Sequence, residues 1–485
     1  MGADEIACLR VWSVLFHSLD YLLFLPLTMA VFWGIPRRFR LGLLVAASFV
    51  FYASWRVAYL GLLVGIILLA WGLGQWMGRL ADSGSPRRQA VKVAVIALLL
   101  PLLAFKYWNW LAGDLEWLLS TAGTVRSLPR VGWVLPVGIS FFTFQAVAYV
   151  VDVRRGAKDE RGLVSLAGFL SFFPQLVAGP IVRSHQLMPQ LKAMPYLSRG
   201  DVGEGLYRIA RGVAKKILIA DTLRMGVVAP VFLEPASFTS VEILIALYAY
   251  TLQIYCDFSG YTDIAIGSAR LFGIRLPENF NRPYKATSVA EFWRRWHITL
   301  SDWVRDYVYF GLGGSRMSAE WKVYRNILVT LLVIGLWHGA SWNFVVYGLL
   351  HGSAVSVNRW RRKRREQSGS EVSGIWAWSW RFLLTFHFLV LARILFRCPD
   401  FPVAWEMFSG LFAMEAVLPR FSLFTWVVLG LGYGLHFLPE AWEERFQGFI
   451  VRGGPGLWAL GCALLGAACV LFGSSELYAF VYYQF

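Results

Sequence analysis

The stretch LLVIGLWHGASWNF, residues 331–344, sets a histidine inside an otherwise greasy run. From Ile327 to Leu350 there is no Asp, Glu, Lys or Arg. At about 1.5 Å per helical residue, this run of about two dozen residues reaches across a hydrocarbon core roughly 30 Å thick. His338 then falls near the midplane, where a titratable ring is expensive and marks a functional candidate. The expected element is a core helix over 327–350 carrying His338. A histidine in such a span can equally be a satisfied packing residue, and by itself the run leaves both readings open.

Composition sets the class. Of 485 residues, 57% are hydrophobic and only 16% charged, too few charges to cover a soluble surface. Further apolar windows occur at Tyr21–Ile35, Val57–Met77, Val93–Phe105, Val131–Val151, Ser240–Tyr255, Ile375–Phe396, Phe421–Pro439 and Pro455–Gly473. Together they predict an all-α, polytopic integral membrane protein with roughly nine to twelve spans plus re-entrant or interfacial helices. The whole chain, 1–485, reads as one membrane domain.

The formal charge of +16 comes from basic runs in short connectors: RRFR at 37–40, SPRRQAVK at 85–92 and RWRRKRR at 359–365. Such placement follows the positive-inside rule and suits anionic lipid headgroups, so membrane lipids are the expected partners. Runs separated by membrane segments do not build a nucleic-acid surface, and no nucleic-acid partner is expected. The cysteines Cys8, Cys256, Cys398, Cys462 and Cys469 form no CxxC and no metal-ligand spacing, so no metal site is expected. The N-terminal MGADEIACLR carries acids where a signal peptide carries positive charge, which predicts insertion by the first apolar span.

The section 259–326 is too charged to span and too aromatic for a disordered loop, so it reads as interfacial or re-entrant. Ser288 and Glu291 form a capping-box pattern that opens a helix. On that helix Val289, Phe292, Trp293, Trp296, Leu300, Trp303 and Tyr307 share one face, with His297 at its border. His297 is either a solvated border residue or a second functional histidine beside His338. His17, His185, His351, His387 and His436 read as structural or interfacial. GLGGSR at 311–316 lacks the Lys-Ser/Thr ending of a phosphate loop and reads as a turn. Asp257 and Asp263 read as helix-to-helix hydrogen-bonding groups.

Three long blocks carry a resemblance: YCDFSGYTDIAIGSARLFGIRLPENFNRPY at 255–284, EFWRRWHITLSDWVRDYVYFGLGGSR at 291–316 and GLWHGASWNFVVYGLLHG at 335–352. With PVGISFFTFQAVAYVVDVRRG at 136–156, FFPQLVAGPIVR at 172–183 and both chain ends, LFHSLDYLLFLPL and LYAFVYYQF, they resemble the membrane-bound O-acyltransferase (MBOAT) family. The bacterial AlgI-like, alginate-O-acetylation branch is the nearest pattern, and residues before Val14 lie upstream of where it usually begins. The resemblance implies a ring of tilted helices around a thin centre with a tunnel where donor and acceptor meet. It implies that His338, in W-H-G, and His297, in R-R-W-H, are the functional histidines. It also implies a thioester donor, acetyl-coenzyme A or an acyl carrier, as substrate and no bound cofactor. An exported polysaccharide or cell-wall glycan as acceptor, a periplasmic SGNH-type acetyltransferase partner and a bacterial inner-membrane location complete the expectation.

The chemistry gives the histidines a purpose. A hydroxyl is a weak nucleophile at neutral pH and needs a base to attack a thioester. Neutral imidazole suits that task, and His338 is the expected general base. His297 or Asn343 is the candidate for stabilising the oxyanion. Arg294, Arg295 and Arg305 are candidate contacts for donor phosphates, though an arginine-rich polar face also suits lipid headgroups. Competing readings are D-alanyl transfer of the teichoic-acid type, a transporter, or a non-catalytic subunit of a polysaccharide export complex. The basic cluster 359–365 predicts a cytoplasmic connector. In a background without native cysteines, Arg362→Cys will resist a membrane-impermeant thiol reagent in intact cells and label only after lysis.

Overall fold

The computed structural model describes residue 16 and residues 19–83, 88–124, 127–157, 162–177, 179–369, 374–413 and 419–472. Cys8, His17, the residues before Val14 and the closing block 477–485 lie outside them. The described residues form helices and connecting turns, with no strand among them. They divide into two compact units: residues 1–210, 261–277 and 450–454, and residues 211–260, 278–449 and 455–485.

The first unit holds α1 (Leu19–Gly34), α2 (Arg40–Trp55), α3 (Val57–Asp82), α4 (Arg88–Thr121), α5 (Ile139–Arg154), α6 (Leu163–Ser171), α7 (Ser184–Ala193) and most of α8 (Arg199–Val213). Helix α5 packs on α3 and α4, and thirteen of its sixteen residues are buried. A helix apolar all round is one enclosed by protein. Its sequence window was expected to span from Val131, but α5 starts only at Ile139. Pro136 and Gly138, the latter at φ 75°, stop a helix from starting earlier. The Tyr21 hydroxyl donates to Ser268 Oγ at 2.6 Å, and buried Arg208 pairs with Asp263 at 2.6 Å.

The second unit includes most of α9 (Ser240–Leu271), α10 (Val289–Arg295), α11 (Ile298–Val304), α12 (Glu320–His338), α13 (Trp342–Ser368), α14 (Ile375–Arg397), α15 (Phe401–Gly410) and α16 (Leu423–Phe437). Most of α17 (Glu440–Gly453) and all of α18 (Pro455–Phe472) complete it. Among the described residues five helices are long and apolar enough to cross a membrane: α3, α4, α9, α14 and α18; α1 and α16 are shorter apolar helices. In its most apolar stretch α9 is 78% buried while α18 is 6% buried. Helix α9 is therefore enclosed by protein and α18 is largely exposed. Lys216 lies between Asp221 at 2.8 Å and Asp257 at 2.9 Å, all buried. Asp257 and Asp263 thus serve inter-helix ion pairs, as read from the sequence. Removing one partner of such a pair costs about 3–5 kcal/mol.

Two expected helices are broken. The run 327–350 is not one helix: α12 ends at His338, Gly339–Ser341 are non-helical and α13 begins at Trp342. The two helices fold back on one another because α12 is notched where α13 comes close. A Cβ on Gly335 would stand 2.2 Å from the Phe344 carbonyl oxygen, and one on Gly339 would stand 2.2 Å from the Phe344 ring. The amphipathic helix expected from Ser288 onward is also interrupted, at Trp296 and His297. Gly335→Val will force the α12–α13 hairpin apart. Overpacking of this kind costs about 1–3 kcal/mol, and thermal unfolding of the purified protein will show the lowered midpoint.

Candidate active site

The break at Trp296–His297 is built by one asparagine. His297 adopts the left-handed conformation, φ 43° and ψ 54°, which costs a non-glycine residue about 1–2 kcal/mol. Asn279 offsets that strain. Its carbonyl oxygen accepts Ile298 N–H at 2.9 Å, and its Oδ1 accepts Thr299 N–H at 3.2 Å and Thr299 Oγ1–H at 2.9 Å. His297 Nδ1 lies 3.1 Å from the same Oδ1. A backbone N–H can only donate, so the atom facing Thr299 must be the amide oxygen. That oxygen can only accept, so His297 carries its proton on Nδ1 and its lone pair on Nε2. His297 is completely buried, and burial drives its pKa down to about 3, so the ring is neutral at physiological pH.

His338 occupies the other break, as the last residue of α12, and is 2% exposed. The indole of Trp337 touches both histidines, with ring centroids 5.4 Å from His297 and 5.0 Å from His338. Phe396 closes on His338 at 4.9 Å and Tyr347 at 6.2 Å, while Phe258 meets His297 at 4.7 Å. Arg393 of α14 lies over the Trp296 ring at 4.9 Å and over Phe396 at 5.6 Å. The expected face of Val289, Phe292, Trp293, Trp296, Leu300 and Trp303 is buried, Tyr307 only partly. His297 itself is not at a border: the left-handed turn swings it inward.

The other candidates separate. Asn343 is buried and donates from Nδ2 to the Cys398 carbonyl at 2.9 Å, which ties α13 to the end of α14. Arg295 bonds Glu291 at 2.9 Å and donates to the Asn281 carbonyl at 3.3 Å, so it braces the turn. Ser288 accepts Glu291 N–H at 3.1 Å, while the Glu291 carboxylate caps Thr287. Arg294 and Arg305 instead line a cavity of about 990 Å³, Arg305 also pairing with Asp302 at 2.6 Å. Arg359, Arg361, Arg362, Arg365 and Arg381 join them there, and Asp302 is the one carboxylate in the wall. Apart from Arg381, these additional arginines were read as a topological anchor. Asn279, Arg393 and Tyr347 carried no periodic or spacing signal that would have singled them out.

Residues 102–399 match the family model described as MBOAT, membrane-bound O-acyltransferase family. The chain belongs to that family. It is similar to the Azotobacter vinelandii protein named "Probable alginate O-acetylase AlgI", 36% identical over 392 residues, 81% of this chain and 76% of that one. The "Peptidoglycan O-acetyltransferase" of Helicobacter pylori is 35% identical over 451 residues, 86% of this chain and 83% of its own. The "Teichoic acid D-alanyltransferase" of Bacillus subtilis is 29% identical over 320 residues, 64% of this chain and 78% of its own. This MBOAT is thus a multi-pass membrane enzyme that performs O-acyl transfer, of the AlgI-like branch. Asn279→Asp will place a carboxylate on His297 Nδ1–H and raise that imidazole's pKa. Because a neutral ring is lost as pH falls through its pKa, His297 will protonate at higher pH in the variant, which an NMR titration of its imidazole in the purified protein will show.

Proposed function

We propose that this MBOAT moves an acetyl group from a cytoplasmic thioester toward an exported polysaccharide or cell-wall glycan, with His338 as general base. The observation that carries the reading is the placement of two buried histidines in contact with the same indole, Trp337, each at a helix break. His338 removes the proton as the acceptor hydroxyl oxygen attacks the thioester carbonyl. The C–O bond forms, the carbonyl electrons move to an oxyanion, and the C–S bond then breaks. The departing thiolate takes the proton back from the imidazolium, giving an ester and a thiol. His297 supports this step through the shared Trp337 contact, and the aromatic walls keep water from hydrolysing the donor. Asn343, with one N–H committed to Cys398, contributes by holding the α13 N-terminus in place.

The arginine-lined cavity is the donor's seat. Arg294, Arg305, Arg361 and Arg362 present guanidinium groups suited to phosphates, and about 990 Å³ admits a coenzyme-sized molecule. Acetyl-coenzyme A and a phosphopantetheine arm on a carrier protein share this chemistry. The alginate and peptidoglycan specificities in the relatives' names favour a glycan acceptor. Acetylation of an exported glycan would call for a bacterial inner-membrane location and a periplasmic SGNH-type partner that completes the transfer.

The test is mutagenesis with the thioester rate as readout. His338→Ala will accumulate in the membrane yet lose about 10²- to 10⁴-fold in transfer rate, the usual cost of removing a general base. His297→Ala will fall severely as well. Arg361→Glu with Arg362→Glu will instead raise the KM for acetyl-coenzyme A about tenfold while leaving kcat near wild type. Wild-type turnover in a well-expressed His338→Ala protein overturns the mechanism.

A further inference from the structure

His351 looks dispensable from its place near the end of an apolar run, but it sits in the same aromatic cluster as the two catalytic candidates. It is 1% exposed, lies one helical turn beyond Tyr347 on α13, and its ring centroid stands 4.3 Å from that of Tyr347. Tyr347 in turn meets His338 at 6.2 Å, edge to face. From α10, the Trp293 indole N–H donates to His351 Nδ1 at 3.3 Å. An indole nitrogen is donor only, so His351 must accept at Nδ1 and carry its own proton on Nε2. Two turns further along α13, Asn358 Oδ1 accepts Ala290 N–H at 3.2 Å, a second rung between the same two helices.

We propose that His351 is a positioning residue for O-acyl transfer, acting as a strut that holds α10 to α13. Helix α10 is only seven residues long and ends at the left-handed turn that delivers His297. A helix that short has little stability of its own and takes its place from tertiary contacts. The Trp293–His351 bond fixes the last turn of α10 against the helix that also carries Tyr347 beside His338. The strut therefore sets the spacing between the His297 segment and the His338 hairpin, where a displacement of about 1 Å can cost about a hundredfold in rate. This role rests on the reading of His338 and His297 as the catalytic pair.

The experiment is a double-variant cycle on the purified full-length protein, with acetyl-coenzyme A as the probe donor. His351→Phe keeps a ring and loses the acceptor; Trp293→Phe loses the donor. Each single change lowers kcat about tenfold, and the double variant falls no further, because partners in one bond are not additive. His351→Asn, whose Oδ1 falls near the position of Nδ1, retains kcat within about threefold, and the KM for acetyl-coenzyme A is unchanged in both His351 variants. Multiplied losses in the double variant overturn the strut. So does a His351→Asn protein as slow as His351→Phe, or a His351→Phe protein with wild-type turnover. If His338→Ala stays active while the cycle is non-additive, the base assignment falls and the strut stands.

Discussion

A helix interrupted in a buried interior leaves N–H and C=O groups that water cannot reach, at a cost of several kcal/mol for each group left unsatisfied. The second unit contains two such interruptions, at Trp296–His297 and at Gly339–Ser341. Both are enclosed by protein and paired locally. Asn279 answers four donors around the first break, and the Ser341 carbonyl accepts Phe344 N–H and Val345 N–H at the second. Irregular backbone survives inside a bilayer only under such cover. The cover is what lets side chains at the breaks face inward, and both candidate histidines sit there.

The aromatic residues follow from the same constraint. Burial disfavours the charged form of an imidazole, because no solvent stabilises it. Rings of Trp337, Phe258, Phe396 and Tyr347 surround the two histidines without offering them a carboxylate. Charge is instead kept apart in two forms. Buried carboxylates sit against cations, as where Asp221 and Asp257 share Lys216. Positive charge is gathered on the cavity wall, where arginines from three helices and the π-helical turn at 305–309 outnumber the single carboxylate of Asp302 among the lining residues.

Much of this was legible from local pattern. Apolar windows announced a helical membrane protein, since hydrocarbon thickness imposes a length that residues must meet. The Ser288 cap and the aromatic face of 289–303 appeared in the structure because capping and amphipathicity are decided within a few turns. His338 and His297 could be picked out as polar rings in apolar surroundings. The helix breaks that hold them were not visible, because continuous hydrophobicity reads as a continuous span. His351 was set aside for the same reason: its partner Trp293 is 58 residues away.

The sequence by itself determined that the chain is helical, embeds in a membrane and carries two histidines worth attention, because composition and local periodicity are properties of neighbouring residues. Only the tertiary structure decided that Gly335 and Gly339 fold one apolar run into a hairpin, that Asn279 turns His297 inward with Nδ1 protonated, and that a single indole touches both imidazoles. Those outcomes depend on close approach between segments distant in sequence, where the absence of one Cβ or the direction of one hydrogen bond settles the geometry.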